Sequence, residues 1–124
     1  MQTTLYTPPG WPAQVRPAGA PDWEETAIAF LLDCCPPDFR GYPVLRRHPV
    51  VLARFAAQFV EGQYGAATDG LAGVRTSLMD HVPSEVLDSA ANAWLEQGAQ
   101  LARVRRAVAL VEEALRGRVF IRRL

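Results

Sequence analysis

The sequence predicts an all-α protein, and two long runs of regularly spaced apolar residues carry that prediction. Apolar residues alternate at spacings of three and four from Val50 to Leu78, and again from Leu87 to Leu115, where only Gln97 interrupts. This spacing aligns the apolar residues along one side of a helix, forming a seam that packs on a partner. The segment between the runs, around Pro83, is so short that we expect the two helices to fold back on each other as an antiparallel hairpin.

The length and composition agree with a single domain. The chain has 124 residues, of which 49% are hydrophobic and 21% are charged, and this balance excludes wholesale disorder. No apolar run approaches the ~20 residues of a membrane span, and the first six residues lack the features of a signal peptide. We therefore expect no membrane partner. Because Cys34 and Cys35 are adjacent and form no disulfide framework, we also expect a cytoplasmic location.

The N-terminal third predicts an arm and one short helix. Five prolines within residues 1–21 predict an extended arm, since proline lacks the amide donor that a helix needs. Asp22 is the expected N-cap of a helix over about residues 23–34, with Glu25 completing a variant of the capping box. The prolines at 36 and 37 end this helix, and one short turn is expected near residues 44–47.

The remaining residues complete a single helical domain over residues 22–124. The long helices are expected at about residues 49–80 and 84–116, followed by a short extended tail at 118–124. Each long helix would span roughly 48 Å and the first helix only roughly 18 Å. A second apolar stripe lies beside the seam near one end of the hairpin, which we call the base, and consists of Leu52, Phe55, Phe59, Leu110 and Ala114. We expect the short helix to cover this stripe.

Four glycines inside the first long helix leave its continuity open. Each glycine costs a helix roughly 1 kcal/mol relative to alanine, and the glycines are Gly62, Gly65, Gly70 and Gly73. One interpretation is a kink or a break near Asp69. The other is close packing, because the expected register places Trp94 opposite Gly70, where a missing side chain makes room for an indole.

The sequence offers no converging set of catalytic groups. His48 and His81 lie at opposite ends of the first long helix, so they cannot share a metal ion, and we expect each to cap a helix end. Cys34 and Cys35 lack the spacing of a zinc site and have no neighbouring histidine to lower a thiol pKa. Phosphate-binding loops and hydrolase motifs are also missing. We therefore expect no enzymatic activity, no metal and no cofactor.

The charges separate along the chain, although the formal net charge is zero. Residues 61–99 hold six acidic residues and one arginine, whereas residues 100–124 hold seven arginines and two glutamates. With the arginines near residue 50, this predicts a basic cluster at the base: Arg46, Arg47, Arg54, Arg116, Arg118, Arg122 and Arg123. Three roles are open for this cluster. It could neutralise nearby carboxylates and helix ends, it could drive self-association by attracting the acidic residues 61–99 of another copy, or it could bind nucleic-acid phosphates. All thirteen basic residues are arginine, and the GC-rich codons of a bacterial genome account for this more simply than a need for the guanidinium group.

Two functions follow from these patterns. The first is a non-enzymatic interaction module that binds a protein partner or forms a homodimer, burying an uncovered apolar flank of the hairpin. The expected flank consists of Phe59, Tyr64, Leu78, Met79, Leu87, Trp94 and Leu95. The alternative is a nucleic-acid-binding accessory protein that uses the basic cluster.

Overall fold

A computed structural model describes residues 5–123, and within that range the chain forms helices and no strands. The helices are α1 (Trp23–Asp33), a 3-10 segment (Pro37–Gly41), α2 (Pro43–Arg47), α3 (Pro49–Leu78) and α4 (Ser84–Leu115). The all-helical prediction is confirmed. Residues 1–4 of the expected arm and Leu124 of the expected tail lie outside the described residues.

The two long helices pack closely on each other along the predicted seam. Most seam residues are buried or half-buried, whereas Val50 and Leu78 at the ends of α3, and Gln97 in α4, are exposed. Two of the ion pairs that join the helices are Arg54 with Glu112, at 3.5 Å, and Glu61 with Arg105, at 2.7 Å. A third ion pair joins Arg75 to Asp88.

Helix α3 is continuous through all four glycines, so the break near Asp69 does not occur. A Cβ atom added at Gly70 would lie 2.5 Å from the Trp94 ring, which confirms the close-packing interpretation at that position. The same atom at Gly62, Gly65 or Gly73 would meet no heavy atom within 4 Å. Packing within the chain therefore accounts for only one of the four glycines.

Helix α1 packs against α3 and supplies much of the core. Leu31 of α1, Leu52 of α3 and Val111 of α4 are fully buried in one cluster of apolar side chains. Leu110 and Ala114 of the second predicted stripe are also buried, but Phe55 is 46% exposed. The expectation that the short helix covers Phe55 is wrong, because the 3-10 segment rather than α1 lies beside this side chain.

Residues 8–22 form a succession of turns instead of the expected extended arm. The Trp11, Val15 and Ala20 amides donate to the carbonyl oxygens of Pro8, Pro12 and Pro17. Proline has no amide hydrogen, but its carbonyl oxygen accepts normally, so each of these prolines can open a turn. The indole of Trp11 also donates to the Val15 carbonyl at 3.0 Å and packs against the core.

The expected side-chain caps do not form. Asp22 precedes α1 with φ at 64° and makes no side-chain bond to the first turn, because this left-handed conformation directs the carboxylate away from the amides that a cap must reach. His48 precedes α3 and likewise makes no side-chain cap. At α1 the hydroxyl of Thr26 donates a hydrogen bond to the Trp23 carbonyl oxygen and accepts one from the backbone amide of Arg16. These two bonds join the turn segment to the helix.

Candidate protein-interaction surface

Four aromatic side chains meet at the surface where the 3-10 segment contacts α3. The Phe39 ring lies at the centre, with its centroid 5.8 Å from Phe55, 6.3 Å from Phe59 and 6.1 Å from Tyr42. Phe39 and Phe55 meet edge to face at an interplanar angle of 73°, which is a favourable arrangement for aromatic rings. We call Phe39, Tyr42, Phe55 and Phe59 the aromatic patch.

Local sequence places each ring. Pro36 and Pro37 end α1, and Pro37 begins the 3-10 segment, so the chain turns and carries Phe39 onto α3. Phe55 and Phe59 are four residues apart on α3 and therefore lie on the same face of the helix. Tyr42 directly precedes the first residue of α2. The proline spacing thus builds one side of the patch, and helical periodicity builds the other.

The aromatic patch is incompletely covered. Tyr42 is 51% exposed and Phe55 is 46% exposed, while Phe39 and Phe59 are half-buried. Phe39, Phe55 and Phe59 border a shallow depression of about 410 Å³, together with Arg54 and Gln58. These exposed rings lie next to one another instead of being scattered singly over the surface, and clustering of this kind is a feature of binding surfaces.

Sequence reasoning identifies only Phe59 among these residues. It places Phe55 under the short helix, and Phe39 and Tyr42 fall in a connection for which it predicts no helical structure. Two signals could have found them: the four-residue spacing of Phe55 and Phe59, and an aromatic residue directly after two prolines and an aspartate. Neither signal alone indicates that the rings meet, because that depends on the path of the 3-10 segment.

The structure does not bring the seven predicted flank residues together. Leu87 is only 6% exposed, so the expectation that it is uncovered is wrong: as a seam residue it faces α3. Trp94 packs on Gly70, and Tyr64 lies beneath the guanidinium of Arg105 at 4.9 Å. Leu78, Met79 and Leu95 are exposed. Leu78 and Met79 lie roughly 28 Å along α3 from Phe59.

The basic cluster is partly neutralised within the chain. Glu112, only 8% exposed, lies 3.5 Å from Arg54 and 3.2 Å from Arg116. Arg118 pairs with Glu113 at 2.6 Å and stacks over the Phe120 ring. The remaining members are exposed and form no ion pair with a described residue: Arg46, Arg47, Arg122 and Arg123. Helix α2, which carries Arg46 and Arg47, contacts both α3 and the 3-10 segment. Arg54, which lines the depression, places a cation at the border of the aromatic patch.

The described residues form no candidate metal site, and the two cysteine thiols lie in surroundings that disfavour the thiolate. No group of three or more His, Cys, Asp or Glu side chains within residues 5–123 is placed to hold a metal ion. Burial raises the pKa of the Cys34 thiol to about 11, and the neighbouring Cys35 and Asp33 act in the same direction. Burial also raises the pKa of Cys35 to about 11, although Arg40 opposes the shift. Both thiols are thus protonated at neutral pH.

We expect iodoacetamide to alkylate both cysteines roughly 100-fold more slowly at pH 8 in the folded protein than in the chain unfolded by guanidinium chloride. Only the thiolate reacts, and raising its pKa from 9.0 to about 11 lowers the thiolate fraction by that factor. The folded-state rate should rise steadily toward pH 11. Mass spectrometry of timed samples measures both rates, and equal rates in the two states would contradict the shift.

Comparison with protein-family models, with curated proteins and with solved structures finds no match. No helix within residues 5–123 combines the length and the apolar character needed to cross a membrane.

Proposed function

We propose that this chain is a non-enzymatic protein-interaction module that binds its partner through the aromatic patch, at the base of an antiparallel helical hairpin. The single observation that carries this proposal is the cluster of three aromatic rings around Phe39, two of which are about half exposed. Aromatic residues and arginine are the residue types most enriched in the buried centres of protein interfaces.

The ion pairs between the long helices support the hairpin. Arg54, Glu61 and Arg75 follow one another along α3, and their partners Glu112, Arg105 and Asp88 follow one another backwards along α4. This reversed order is the pattern of antiparallel helices. A shift of one heptad would place Arg54 against Arg105, so the alternating signs favour a single register.

The composition around the aromatic patch favours a protein partner. When a partner buries the exposed surface of a phenylalanine, the complex is stabilised by about 25 cal/mol for each Å² removed from water. Arg54 borders the depression with its side chain 57% exposed. Arg46 and Arg47 extend the positive charge on α2. An apolar surface with a basic rim is complementary to a partner that presents apolar side chains flanked by carboxylates.

Nucleic-acid binding by the basic cluster is the weaker alternative. A phosphate at Arg54, Arg116 or Arg118 would have to compete with the carboxylates of Glu112 and Glu113 that already pair with them. The four remaining arginines are divided between α2 and the C-terminal tail. The aromatic patch can be covered by a protein and does not need a nucleic-acid base as its partner.

A photo-reactive benzoylphenylalanine at position 55 tests the proposed function in cells of the organism that encodes the chain. Illumination should give a discrete protein adduct, identified by mass spectrometry, because position 55 lies at the centre of the bound surface. The same group at Asn92, an exposed position on α4, should give no such adduct. Adding Phe59→Ser to the position-55 chain should remove the adduct. An adduct to nucleic acid, or the absence of any adduct specific to position 55, would overturn the proposal.

A further inference from the structure

We propose that a second copy of this chain covers the aromatic patch, with the outer face of α3 in one copy packing antiparallel on the outer face of α3 in the other. This inference rests on the proposed function and names the partner. It is carried by the exposed rings together with opposite charges at the two ends of α3.

Helix α3 has a second regular face, turned away from α4. Residues 55, 59, 62, 66, 69 and 73 alternate at spacings of four and three, so they share one side of the helix. All of them are exposed or half-exposed. The end of this face near the start of α3 carries Phe55 and Phe59, whereas the rest of it carries Gly62, Ala66, Asp69 and Gly73. When two copies of such a helix pack antiparallel, the large side chains of each copy lie against the smaller residues of the other.

An antiparallel alignment centred near residue 64 places each of the two phenylalanines against a smaller residue. In that alignment Phe55 of one copy meets Gly73 of the other, Phe59 meets Asp69, and Gly62 meets Ala66. Gly62 and Gly73 have no heavy atom within 4 Å of an added Cβ atom. The Phe55 ring therefore has room above Gly73, and the two helices can approach closely where Gly62 meets Ala66. Within the chain, Trp94 already packs on Gly70 in this way. A glycine costs a helix about 1 kcal/mol relative to alanine, which a partner helix would offset through close approach.

The charges at the ends of α3 specify the second copy and its direction. Arg46 and Arg47 lie just before the start of α3 and are exposed, while Asp80 lies just after its end and is also exposed. The antiparallel alignment brings the arginines of each copy to the Asp80 end of the other. A parallel arrangement would instead place arginines against arginines, which like-charge repulsion disfavours.

Val51 lies four residues before Phe55, is 36% exposed, and extends the same outer face toward the start of α3. A two-fold axis repeats every contact, so the assembly closes at two copies.

Two measurements on the purified full chain test the inference. Sedimentation velocity from roughly 1 to 100 μM, the range in which weak dimers dissociate, should show a species of twice 13.6 kDa. With benzoylphenylalanine at position 55, illumination should join two copies, and the cross-linked peptide should map to residues 69–77 of the other copy. A monomer at every concentration, or a cross-link elsewhere in the chain, would overturn the inference.

Matched variants separate association from folding. Gly73→Gln should weaken the dimer at least tenfold, because the new side chain occupies the space for Phe55, and Asp80→Arg should weaken it through repulsion from Arg46 and Arg47. Ala99→Gln, an exposed change on α4, should leave the dimer unchanged, and far-UV circular dichroism should show equal helix content in all variants. Unchanged association in Gly73→Gln would overturn the alignment. A monomeric chain that still yields a position-55 adduct with a different protein in cells would retain the proposed function while refuting the second copy.

Discussion

Leu31→Ala is expected to lower the free energy of unfolding by about 2–5 kcal/mol, the range for a leucine removed from a well-packed core. Leu31 is fully buried in α1, in the apolar cluster that also contains Leu52 and Val111. Removing three carbon atoms there loses their burial and leaves a cavity, since the surrounding helices can close on it only partly. Denaturant titration followed by circular dichroism measures the change.

Leu95→Ala is the matched control. Leu95 is 55% exposed on α4, and both leucine and alanine favour helix, so its effect should stay within about 0.5 kcal/mol. Equal effects of the two substitutions would show that α1 contributes nothing to the cooperative unfolding of the chain, and would contradict its place in the core.

The buried residues are distributed unevenly along the long helices. Near α1, consecutive turns of α3 bury Leu52, Ala53, Ala56 and Val60 without exception. Toward the far end only one residue in each two turns of α3 is buried, first Ala67 and then Val74. Local opening is easiest where few apolar contacts must be lost. The C-terminal half of α3 therefore depends most on additional covering, which the proposed second copy supplies.

The spacing of apolar residues is sufficient to predict the long helices and their seam, because periodicity depends only on neighbours along one helix. It is also sufficient to place Trp94 against Gly70, since a short connection around Pro83 leaves little freedom in register. The helix ends at Leu78 and Leu115 fall within two residues of the expected positions.

The candidate site is mostly beyond prediction from the sequence. The exposure of Phe55 depends on which neighbour covers it, and that depends on the backbone path between Pro36 and Pro43. The apolar residues in that stretch are not regularly spaced, so the 3-10 segment cannot be predicted from them. The left-handed conformation of Asp22 escapes prediction for a similar reason: an aspartate before a helix is usually a cap, and only the preceding turns, ending at Ala20 and Trp23, show that the chain enters α1 differently.

Gly70→Leu is expected to lower the free energy of unfolding by about 1–3 kcal/mol, the range for an overpacked position. The first added carbon atom would already lie 2.5 Å from the Trp94 ring, so either the indole or the two helices must move. Gly65→Leu is the matched control, because nothing lies within 4 Å of its added Cβ atom. Leucine favours helix over glycine by up to about 1 kcal/mol, so Gly65→Leu should stabilise the fold.

A double substitution shows whether the effect at Gly70 passes through the indole. Trp94→Ala alone removes a half-buried ring from the seam and should also destabilise the protein. If the ring is the obstacle, the leucine introduced at position 70 can occupy the vacated space in the double variant, so the combined loss should be smaller than the two single losses added together. Denaturant titration of the original chain, the two single variants and the double variant gives this coupling energy. Additive losses would mean that Gly70 is required for a reason other than the approach of Trp94.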